Sequence, residues 1–307
     1  MSEAFALPID ASTRYCAVYG FPVRHSASPA MQNAGLAALG LNWRYLAFEV
    51  NPEELGAAIA GAKAMNFVGL NLTVPHKLLA TGLVDELDAS ARTWGAVNTI
   101  RFEGKSPDGA WHPLGGFSAA PPEIRAHGFN TDADALTRAI DEDLGVKVSG
   151  ASVLLLGAGG AGRTAALKLA EEHVSELFLV NRTQAKAEAI AKEIRERFGG
   201  VKVSTDYPGV GPDLVVNATS LGLKTGDPLP FDGHRFSLRK VGAVYDMIYR
   251  PAETPLLQAA RAAGCRSANG LGMLLYQGAK ALEIWSGRPA PVAVMRTALE
   301  ANVYGRS

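Results

Sequence analysis

Residues 151–182 read ASVLLLGAGGAGRTAALKLAEEHVSELFLVNR, and this stretch decides the fold. Its apolar run Ser152–Leu156 is typical of a strand that is buried on both faces. A glycine-rich turn and a helical pattern at Arg163–Glu172 follow, and a second apolar run, Glu176–Val180, ends just before Asn181. Strand, helix and strand in this order predict a βαβ unit of a parallel, doubly wound α/β sheet.

The glycines of this unit have the spacing of a dinucleotide-binding turn, Gly157-Ala-Gly159-Gly160-Ala-Gly162. Gly157 permits the tight turn, Gly159 lets the backbone approach a pyrophosphate, and Gly162 lets the helix pack on the strand. The phosphates would lie at the helix N-terminus, where free N–H groups and the helix dipole favour an anion. The alternative is a tight turn without a ligand, but the complete βαβ context favours a dinucleotide.

The residues after the second strand indicate which dinucleotide binds. An acidic side chain there would accept hydrogen bonds from a ribose 2′-hydroxyl and favour NAD. This chain has Asn181, Arg182 and Thr183 instead, with Lys186 one turn later. Arg182 can form paired hydrogen bonds with a 2′-phosphate, and Lys186 adds a second positive charge. A solvated arginine on a loop is the alternative, but the lack of a carboxylate predicts NADP.

Length and composition limit the class of protein. A chain of 307 residues suits two domains, and 48% hydrophobic with 20% charged residues is typical of a globular protein. The formal net charge of zero gives no indication of a nucleic-acid partner. Two cysteines, Cys16 and Cys265, provide neither metal-ligand spacing nor a disulfide framework, so we expect no metal.

The sequence also bears on where the chain is located and on its partners. The sequence has no run of 18 apolar residues, so we expect no membrane span. The first twelve residues lack the basic start and apolar stretch of a signal peptide, and we expect a loosely docked extension there. The expected location is the cytoplasm, and the expected partners are small molecules, with the chain a monomer or a homodimer.

Polar side chains follow several predicted strands. Asn71, Thr73 and Lys77 come at the end of the strand Phe67–Leu72, and strand ends are where open α/β sheets bind ligands. Asn217 and Thr219 follow another strand in the same way. We therefore expect both groups at binding sites.

Three further positions have a structural and a functional interpretation. Ser28 precedes Pro29 and is a natural helix N-cap. Ser26 is a second hydroxyl at the same helix start, and one cap needs only one side chain. The two serines are therefore interpreted either as a helix cap or as a binding site for a carboxylate. Asn98 stabilises a turn or binds a ligand. Asp132 belongs to the first turn of a helix or takes part in chemistry.

Two segments are predicted from local pattern alone. Residues 84–92 have a helical pattern. Residues 104–127 repeat Gly, Pro and Ser without periodicity, which indicates a long surface excursion or an irregular hairpin.

Several motifs, taken together and in order along nearly the whole chain, resemble the shikimate dehydrogenase family. They are Gly20 with His25-Ser26-Ala-Ser28-Pro29 and Asn33, Asn71-Leu-Thr73-Val-Pro75-His-Lys77, Gly95-Ala-Val-Asn98-Thr99, Gly128-Phe-Asn130-Thr131-Asp132, the glycine-rich turn, Asn181-Arg182-Thr183, Asn217-Ala-Thr219-Ser220, Tyr249-Arg250-Pro251 and Gly270-Leu-Gly272-Met273-Leu-Leu-Tyr-Gln277.

The resemblance implies reversible, NADP-dependent reduction of 3-dehydroshikimate to shikimate, with Lys77 and Asp132 as the catalytic pair. It implies that Ser26 and Ser28 hold the substrate carboxylate, with Tyr249 nearby. The residues implied for the ring hydroxyls are Asn71, Thr73, Asn98 and Gln277. Those implied for the cofactor, beyond the glycine turn, are Asn181, Arg182, Thr183, Lys186, Asn217, Thr219, Gly270 and Met273.

The resemblance also implies two domains. Residues 1–131 with 270–307 would form the substrate domain, so that the C-terminal helices return to it, and residues 132–269 the NADP-binding domain. Three departures from the family pattern stand out: the long 104–127 segment, Gln32 where a histidine is common, and Lys186 where an arginine often grips the 2′-phosphate.

Alternatives on the same fold are a quinate or quinate/shikimate dehydrogenase, an enzyme for an amino analogue of shikimate, and a non-catalytic NADP(H)-binding sensor. In the family, a threonine at the position of Ser28 goes with quinate use, so Ser28 favours shikimate. Retention of Lys77 and Asp132 favours an enzyme over a sensor.

Overall fold

The structure is a computed structural model that describes residues 9–224 and 226–305. It divides into two compact units, the first formed by the described residues up to Thr131 and from Leu275 onward, the second by Asp132–Leu274. The first eight residues, within the predicted N-terminal extension, lie outside the described residues.

The described strands are β1 (Arg14–Gly20), β2 (Trp43–Glu49), β3 (Gly69–Leu72), β4 (Glu86–Leu87), β5 (Thr99–Lys105), β6 (Trp111–Pro113), β7 (Ile124–Phe129), β8 (Ser152–Leu156), β9 (Glu176–Val180), β10 (Lys202–Ser204), β11 (Leu214–Asn217), β12 (Ala243–Asp246) and β13 (Arg266–Asn269). The described α-helices are α1 (Ser28–Ala38), α2 (Leu55–Ala64), α3 (His76–Leu79), α4 (Ala89–Trp94), α5 (Asp132–Leu144), α6 (Gly160–Glu171), α7 (Gln184–Arg197), α8 (Pro255–Ala262), α9 (Leu271–Ser286) and α10 (Val292–Tyr304).

The first unit contains a mixed sheet in the order β2-β1-β3-β5-β7-β4, with β6 paired to β5. Strands β2, β1 and β3 are parallel, whereas β5 runs antiparallel to β3, β6 and β7. Apolar side chains of β3, β5 and α2, among them Leu70, Ile100, Phe102 and Ile59, form a core on one face. The C-terminal helix α10 packs on α1, where Gly35 lies close to Met295.

One local prediction in this unit is wrong, and another is narrowed to one of its alternatives. The helix predicted over residues 84–92 is the short strand β4 followed by α4, because the Asp88 side chain accepts a hydrogen bond from Ser90 N at 2.9 Å and starts the helix there. Of the two alternatives predicted for residues 104–127, the irregular hairpin is observed, since β6 pairs antiparallel with β5. The segment ends in β7, which begins at Ile124 and also pairs with β5.

The second unit is built on a six-stranded, all-parallel sheet in the order β10-β9-β8-β11-β12-β13. Numbered within the unit, this is the strand order 3-2-1-4-5-6 of a dinucleotide-binding sheet. The strands β8 and β9 have the predicted bounds, and Leu154, Leu155 and Leu156 are fully buried as expected for a central parallel strand. The α/β class with a Rossmann-type sheet is confirmed.

Among the described helices, none is both long and apolar enough to span a membrane. No group of three or more His, Cys, Asp or Glu among the described residues is arranged to hold a metal ion.

Candidate active site

In the first unit, polar side chains gather where β3 ends and β5 begins. We call Tyr45, Asn71, Asn98, Thr99 and Thr131 the hydroxyl–amide cluster. Asn71 Oδ1 accepts a hydrogen bond from the Tyr45 hydroxyl at 2.7 Å, and Asn71 Nδ2 donates to Thr99 Oγ1 at 3.0 Å. All five side chains are buried. Because buried polar atoms without partners are costly, these bonds fix the orientation of each amide.

Asn98 continues this network toward the end of β7. Its Oδ1 accepts from Thr131 N at 2.8 Å and its Nδ2 donates to Thr131 Oγ1 at 3.0 Å. Thr131 Oγ1 in turn donates to the carbonyl oxygen of Gln277 on α9 at 3.0 Å. The Asn98 amide therefore links Thr131, which follows β7, to the start of β5.

The two predicted carboxylate-binding serines lie at the start of α1. The helix begins at Ser28 itself, and no side chain caps it, so the capping interpretation of Ser28 is wrong. Ser26 Oγ accepts from Ser28 N at 3.3 Å, and the Ser28 hydroxyl lies near that of the buried Tyr45. Burial raises the pKa of Tyr45 well above its usual value, and the nearby Ser28 hydroxyl opposes that rise.

Thr73 and Lys77 follow β3, in the turn that leads into α3. Thr73 N donates to Tyr19 O at 2.9 Å, and the Lys77 carbonyl oxygen accepts from Val97 N at 2.8 Å. The backbone of Lys77 is thus tied to the residue that precedes Asn98. Both Thr73 and Lys77 are partly exposed.

In the second unit, the glycine-rich turn has the conformation that its sequence requires. Gly157 has φ +109°, and a Cβ there would lie 2.9 Å from Ala218 O. A Cβ at Gly162 would lie 2.2 Å from Gly157 O, so only glycine lets α6 begin this close to β8. A Cβ at Gly159 or Gly160 would meet no described atom within 4 Å, which leaves the backbone N–H groups at the start of α6 accessible to an anion.

A cavity of about 590 Å³ opens next to this turn. Five of the predicted cofactor residues line it, namely Gly157, Gly159, Asn181, Arg182 and Thr219. Asn181 also braces the turn, because its Oδ1 accepts from Ala158 N at 3.0 Å and its Nδ2 donates to Thr183 O at 2.9 Å. The open backbone donors and the guanidinium of Arg182 suit the phosphates of a dinucleotide.

The orientation of Thr219 in this cavity depends on residues deeper in the sheet. Asn217 Oδ1 accepts from both Thr219 N and Thr219 Oγ1, at 3.0 and 2.8 Å, while its Nδ2 donates to Asp246 Oδ1 at 2.9 Å. Asp246 also accepts from Thr254 Oγ1 at 2.6 Å. Burial raises the pKa of Asp246, and these hydrogen bonds oppose the rise. Asp246 is a positioning residue that the motif analysis missed.

The remaining predicted residues of this unit lie elsewhere on it. Thr183 and Lys186 are exposed at the start of α7 and are not among the described residues that line the cavity. Gly270 lies against Met247, where a Cβ would be 2.1 Å from its carbonyl oxygen, and Met273 N donates to the Tyr245 hydroxyl at 3.2 Å. Asp132 is buried at the first position of α5.

The predicted site residues are thus divided between the units. Residues of the first unit are Ser26, Ser28, Asn71, Thr73, Lys77, Asn98 and Gln277, whereas Asp132, Tyr249 and the cofactor residues belong to the second. Sequence reasoning missed Tyr45, Thr99 and Thr131 in the first unit. Thr131 could have been found, since it stands between Asn130 and Asp132 in a motif that was recognised.

Family models match three parts of the chain. Residues 18–100 match the shikimate dehydrogenase substrate binding domain, residues 139–207 match shikimate/quinate 5-dehydrogenase, and residues 270–300 match the shikimate 5′-dehydrogenase C-terminal domain. A curated NADP(+) shikimate dehydrogenase from Methanopyrus kandleri is 39% identical over 96% of this chain and 97% of its own length. The chain belongs to the shikimate dehydrogenase family.

Solved structures of the family agree with this assignment. A shikimate dehydrogenase crystallised in complex with NADP+ is 38% identical, with a TM-score of 0.81, and the match covers 96% of this chain and 98% of the other. The Thermus thermophilus shikimate 5-dehydrogenase, crystallised with NADP(H) and shikimate, is 33% identical with a TM-score of 0.79, over 94% of this chain and 99% of its own. The similarity extends over both units.

Proposed function

We propose that this chain catalyses the reversible, NADP-dependent reduction of 3-dehydroshikimate to shikimate, a step of chorismate and aromatic amino-acid biosynthesis. The observation that carries this function is the match to NADP(+) shikimate dehydrogenases at 39% identity over 96% of the chain. A dinucleotide-binding sheet with an open phosphate turn in the second unit agrees with it. The chain is an oxidoreductase that acts on a secondary alcohol.

The first unit is the proposed substrate-binding part. Ser26 and Ser28 bind the substrate carboxylate together with Tyr249, and the ring hydroxyls bind to Asn71, Thr73, Asn98 and Gln277. This is supported by the hydroxyl–amide cluster, whose hydrogen bonds hold the amides of Asn71 and Asn98 in fixed orientations. A ring with several hydroxyls needs donors and acceptors at defined positions, and amide and hydroxyl side chains provide both.

The second unit is the proposed cofactor-binding part. The pyrophosphate is bound by the glycine turn, with Gly160 at the start of α6, and by Asn181. The 2′-phosphate is bound by Arg182, Thr183 and Lys186. The residues toward the nicotinamide are Asn217, Thr219, Gly270 and Met273. The bound cofactor supplies or accepts the hydride. Arg182 in the cavity and the accessible N–H groups at the start of α6 support NADP at this site.

Lys77 and Asp132 are the proposed catalytic pair. Hydride arriving at the ketone carbon leaves negative charge on the oxygen, which needs a proton donor within hydrogen-bond reach. An ammonium group paired with a carboxylate holds such a proton and can deliver it. In the reverse direction the same pair takes the proton from the hydroxyl of shikimate.

A direct assay tests this function. Purified chain is incubated with shikimate and NADP+, and reduced cofactor is followed by its absorbance. We expect a steady rate with shikimate, a much lower rate with quinate in a parallel reaction, and higher kcat/KM with NADPH than with NADH in the reverse direction. A faster rate with quinate would assign the chain to quinate oxidation, and no rate with either substrate would reject the proposed function.

We also propose that the chain works in the cytoplasm as a monomer or a homodimer, and that its ligands are small molecules and not nucleic acid. The zero net charge of the sequence supports the last point. Gel filtration with light scattering distinguishes the monomer from the homodimer.

A further inference from the structure

The cofactor cavity contains a second arginine that no motif predicts. Arg235 lies in the segment between β11 and β12 and lines the same cavity as Arg182 and the glycine turn. Three more polar residues of the lining, Asp206, Tyr207 and Asp232, lie near it in the chain or in contact with it. The chemistry of this part of the cavity is therefore set by residues outside the βαβ unit.

The order of strands shows which part of a dinucleotide would lie there. The glycine turn follows β8, Arg182 follows β9, and Asp206 and Tyr207 follow β10, which is the outer neighbour of β9. Parallel strands end at the same edge of the sheet and are spaced by about 4.8 Å. The succession from β8 to β10 thus leads from the pyrophosphate to the adenosine end, where Arg235 and Asp206 lie.

Arg235 is held in place by two contacts. Its guanidinium forms an ion pair with the Asp206 carboxylate and lies over the Tyr207 ring, 5.2 Å from the ring centroid. The Tyr207 ring is itself fixed, because it stacks on Phe236 with centroids 5.7 Å apart and its hydroxyl accepts from Asp232 N at 2.9 Å. The guanidinium is therefore positioned against Asp206 before any ligand binds.

The ion pair offsets the charge of one carboxylate, Asp206, at this end of the cavity. A carboxylate near the adenosine ribose repels a 2′-phosphate and accepts hydrogen bonds from a 2′-hydroxyl, so an unpaired Asp206 would favour NAD. Paired with Arg235, Asp206 contributes no net charge, and Arg182 remains as the positive group that attracts the phosphate.

We propose that Arg235 is a specificity-determining residue, which masks the negative charge of Asp206 and thereby preserves the preference for the 2′-phosphorylated cofactor. The inference rests on the proposed function, because it concerns the same cofactor site. It differs from direct recognition of the phosphate by Arg182, since Arg235 acts on the carboxylate beside the ligand. Lys186, the second cation predicted from the sequence, does not line the described cavity, whereas Arg235 does.

The test is a set of four variants that changes the local charge in steps of one. Wild type and the double variant Asp206→Asn/Arg235→Gln have the same net charge at the pair, Arg235→Gln has one negative charge more, and Asp206→Asn has one positive charge more. Affinity for adenosine 2′,5′-bisphosphate and for adenosine 5′-monophosphate is measured by calorimetry on the full chain. Neither ligand contains the nicotinamide, so substrate chemistry does not affect the result.

A unit charge about 7 Å from a phosphate dianion in a water-like dielectric changes the affinity roughly five- to tenfold. We therefore expect Arg235→Gln to bind the bisphosphate five- to tenfold more weakly, with less than a twofold change for the monophosphate. Asp206→Asn binds the bisphosphate at least as tightly as wild type, and the double variant returns to within about twofold of wild type. Because both side chains are more than half exposed, the loss in Arg235→Gln shrinks at 1 M salt, where the screening length is about 3 Å.

Arg261→Gln is the matched control, because Arg261 is an exposed arginine paired with Glu253 and does not line the described cavity. We expect it to bind both nucleotides as wild type does. Unchanged bisphosphate affinity in Arg235→Gln, or a double variant as weak as Arg235→Gln, would overturn the masking role alone. A wild-type chain that bound neither nucleotide would overturn the proposed cofactor and this inference with it.

Discussion

The two units present their polar groups in different ways. In the second unit the proposed phosphate site is a continuous turn of backbone, residues 157–162, where glycines leave N–H groups accessible. In the first unit the hydroxyl–amide cluster draws side chains from β2, β3, β5 and the end of β7, joined by hydrogen bonds. One site depends on the absence of side chains and the other on the exact atoms that side chains contribute.

The proposed ligands explain this difference. A pyrophosphate needs several N–H donors in one place, and the backbone at a helix start provides them regardless of the side chains. A ring with several hydroxyls needs a defined alternation of donors and acceptors, which only side chains such as Asn71 and Asn98 can provide. The backbone site should therefore be sensitive to an added Cβ, and the side-chain site to the loss of a single polar atom.

The largest expected effect is the loss of Lys77, the member of the proposed catalytic pair that belongs to the first unit. We expect Lys77→Ala to lower kcat by about a thousandfold, because general acid catalysis by a positioned group contributes roughly 10² to 10⁴ in rate. NADPH affinity should stay within twofold of wild type, since the proposed cofactor residues belong to the second unit. Steady-state rates and fluorescence titration with NADPH measure the two quantities.

Lys63→Ala is the control for this variant. Lys63 is a partly exposed lysine of the same unit, paired with Asp85 at 2.9 Å, and its loss should cost less than about 1 kcal/mol in stability and leave kcat unchanged. An unaltered kcat in Lys77→Ala would remove Lys77 from the catalytic role and leave the first unit with binding alone.

Two glycine variants separate the roles within the backbone site. We expect Gly162→Ala to lower the free energy of unfolding by about 2 kcal/mol or more, because the new Cβ would lie 2.2 Å from Gly157 O and the turn must shift. Gly159→Ala should leave that free energy unchanged, since its Cβ meets no described atom within 4 Å. The same variant, Gly159→Ala, should nevertheless weaken NADPH binding about tenfold or more, because the pyrophosphate needs the space that the new Cβ would occupy.

Urea unfolding without cofactor and calorimetric titration with NADPH measure these two effects, and each glycine variant controls for the other. Normal NADPH affinity in Gly159→Ala would show that the phosphates lie away from this turn. The contrast between a backbone site and a side-chain site would then fail for the second unit.

A buried carboxylate in the first unit tests side-chain networks outside the proposed site. Glu103 accepts hydrogen bonds from Arg101, Arg125 and His127 on β5 and β7, and its side chain is 1% exposed. Burial alone would raise its pKa, but these bonds outweigh burial and hold the pKa at about 2, against 4.5 for a free glutamate. We expect Glu103→Gln to lower the free energy of unfolding at pH 7 by about 2 kcal/mol, because the cations lose their partner.

The pH dependence of this effect follows from the direction of the shift. A carboxylate with a depressed pKa stabilises the fold above its unfolded pKa of 4.5, and this stabilisation is lost as the pH falls toward 2. The difference between wild type and Glu103→Gln should therefore narrow below pH 4.5 in urea unfolding curves. Glu123→Gln, which breaks an exposed pair with Lys105, is the control and should change stability by less than about 1 kcal/mol. If the free energies of unfolding of wild type and Glu103→Gln differed by the same amount down to pH 2, the charge of Glu103 would not explain its stabilising effect.

The fold of the second unit was predictable because its signals are local. Apolar runs gave β8 and β9 with their observed bounds, and the glycine spacing gave the turn and the start of α6 within a few residues. The first unit was harder, since β4 has two residues and β6 has three, too few for either strand to show a pattern of its own. Local periodicity predicted a helix that begins at residue 84. The observed helix α4 begins several residues later, after its N-cap Asp88.

The candidate sites show the same contrast between residues that local motifs identify and residues that come together only in the fold. Residues in contiguous motifs, such as Asn71 and Arg182, could be proposed from the sequence alone. Tyr45 could not, because its contact with Asn71 depends on β2 and β3 lying on either side of β1. Arg235 and Asp206 were missed because they lie on loops 29 residues apart and meet only in the folded unit. Cross-strand and cross-loop contacts are therefore the part that needs the structure.

Tyr45→Phe is the smallest change and the closest test of the side-chain site. It removes the hydroxyl that donates to Asn71 Oδ1 at 2.7 Å, without altering the ring. A buried acceptor left without its donor costs about 1 to 2 kcal/mol, so we expect that loss in the free energy of unfolding. The KM for shikimate should rise several-fold while the KM for NADPH is unchanged, since the amide of Asn71 loses the donor that fixes its orientation. Tyr15→Phe on β1, a partly buried tyrosine packed near Phe67, is the control and should change neither KM. If Tyr45→Phe lowers stability but leaves the shikimate KM unchanged, the cluster holds the sheet together without shaping the site, and substrate recognition in the first unit must depend on Ser26, Thr73 and Gln277 instead.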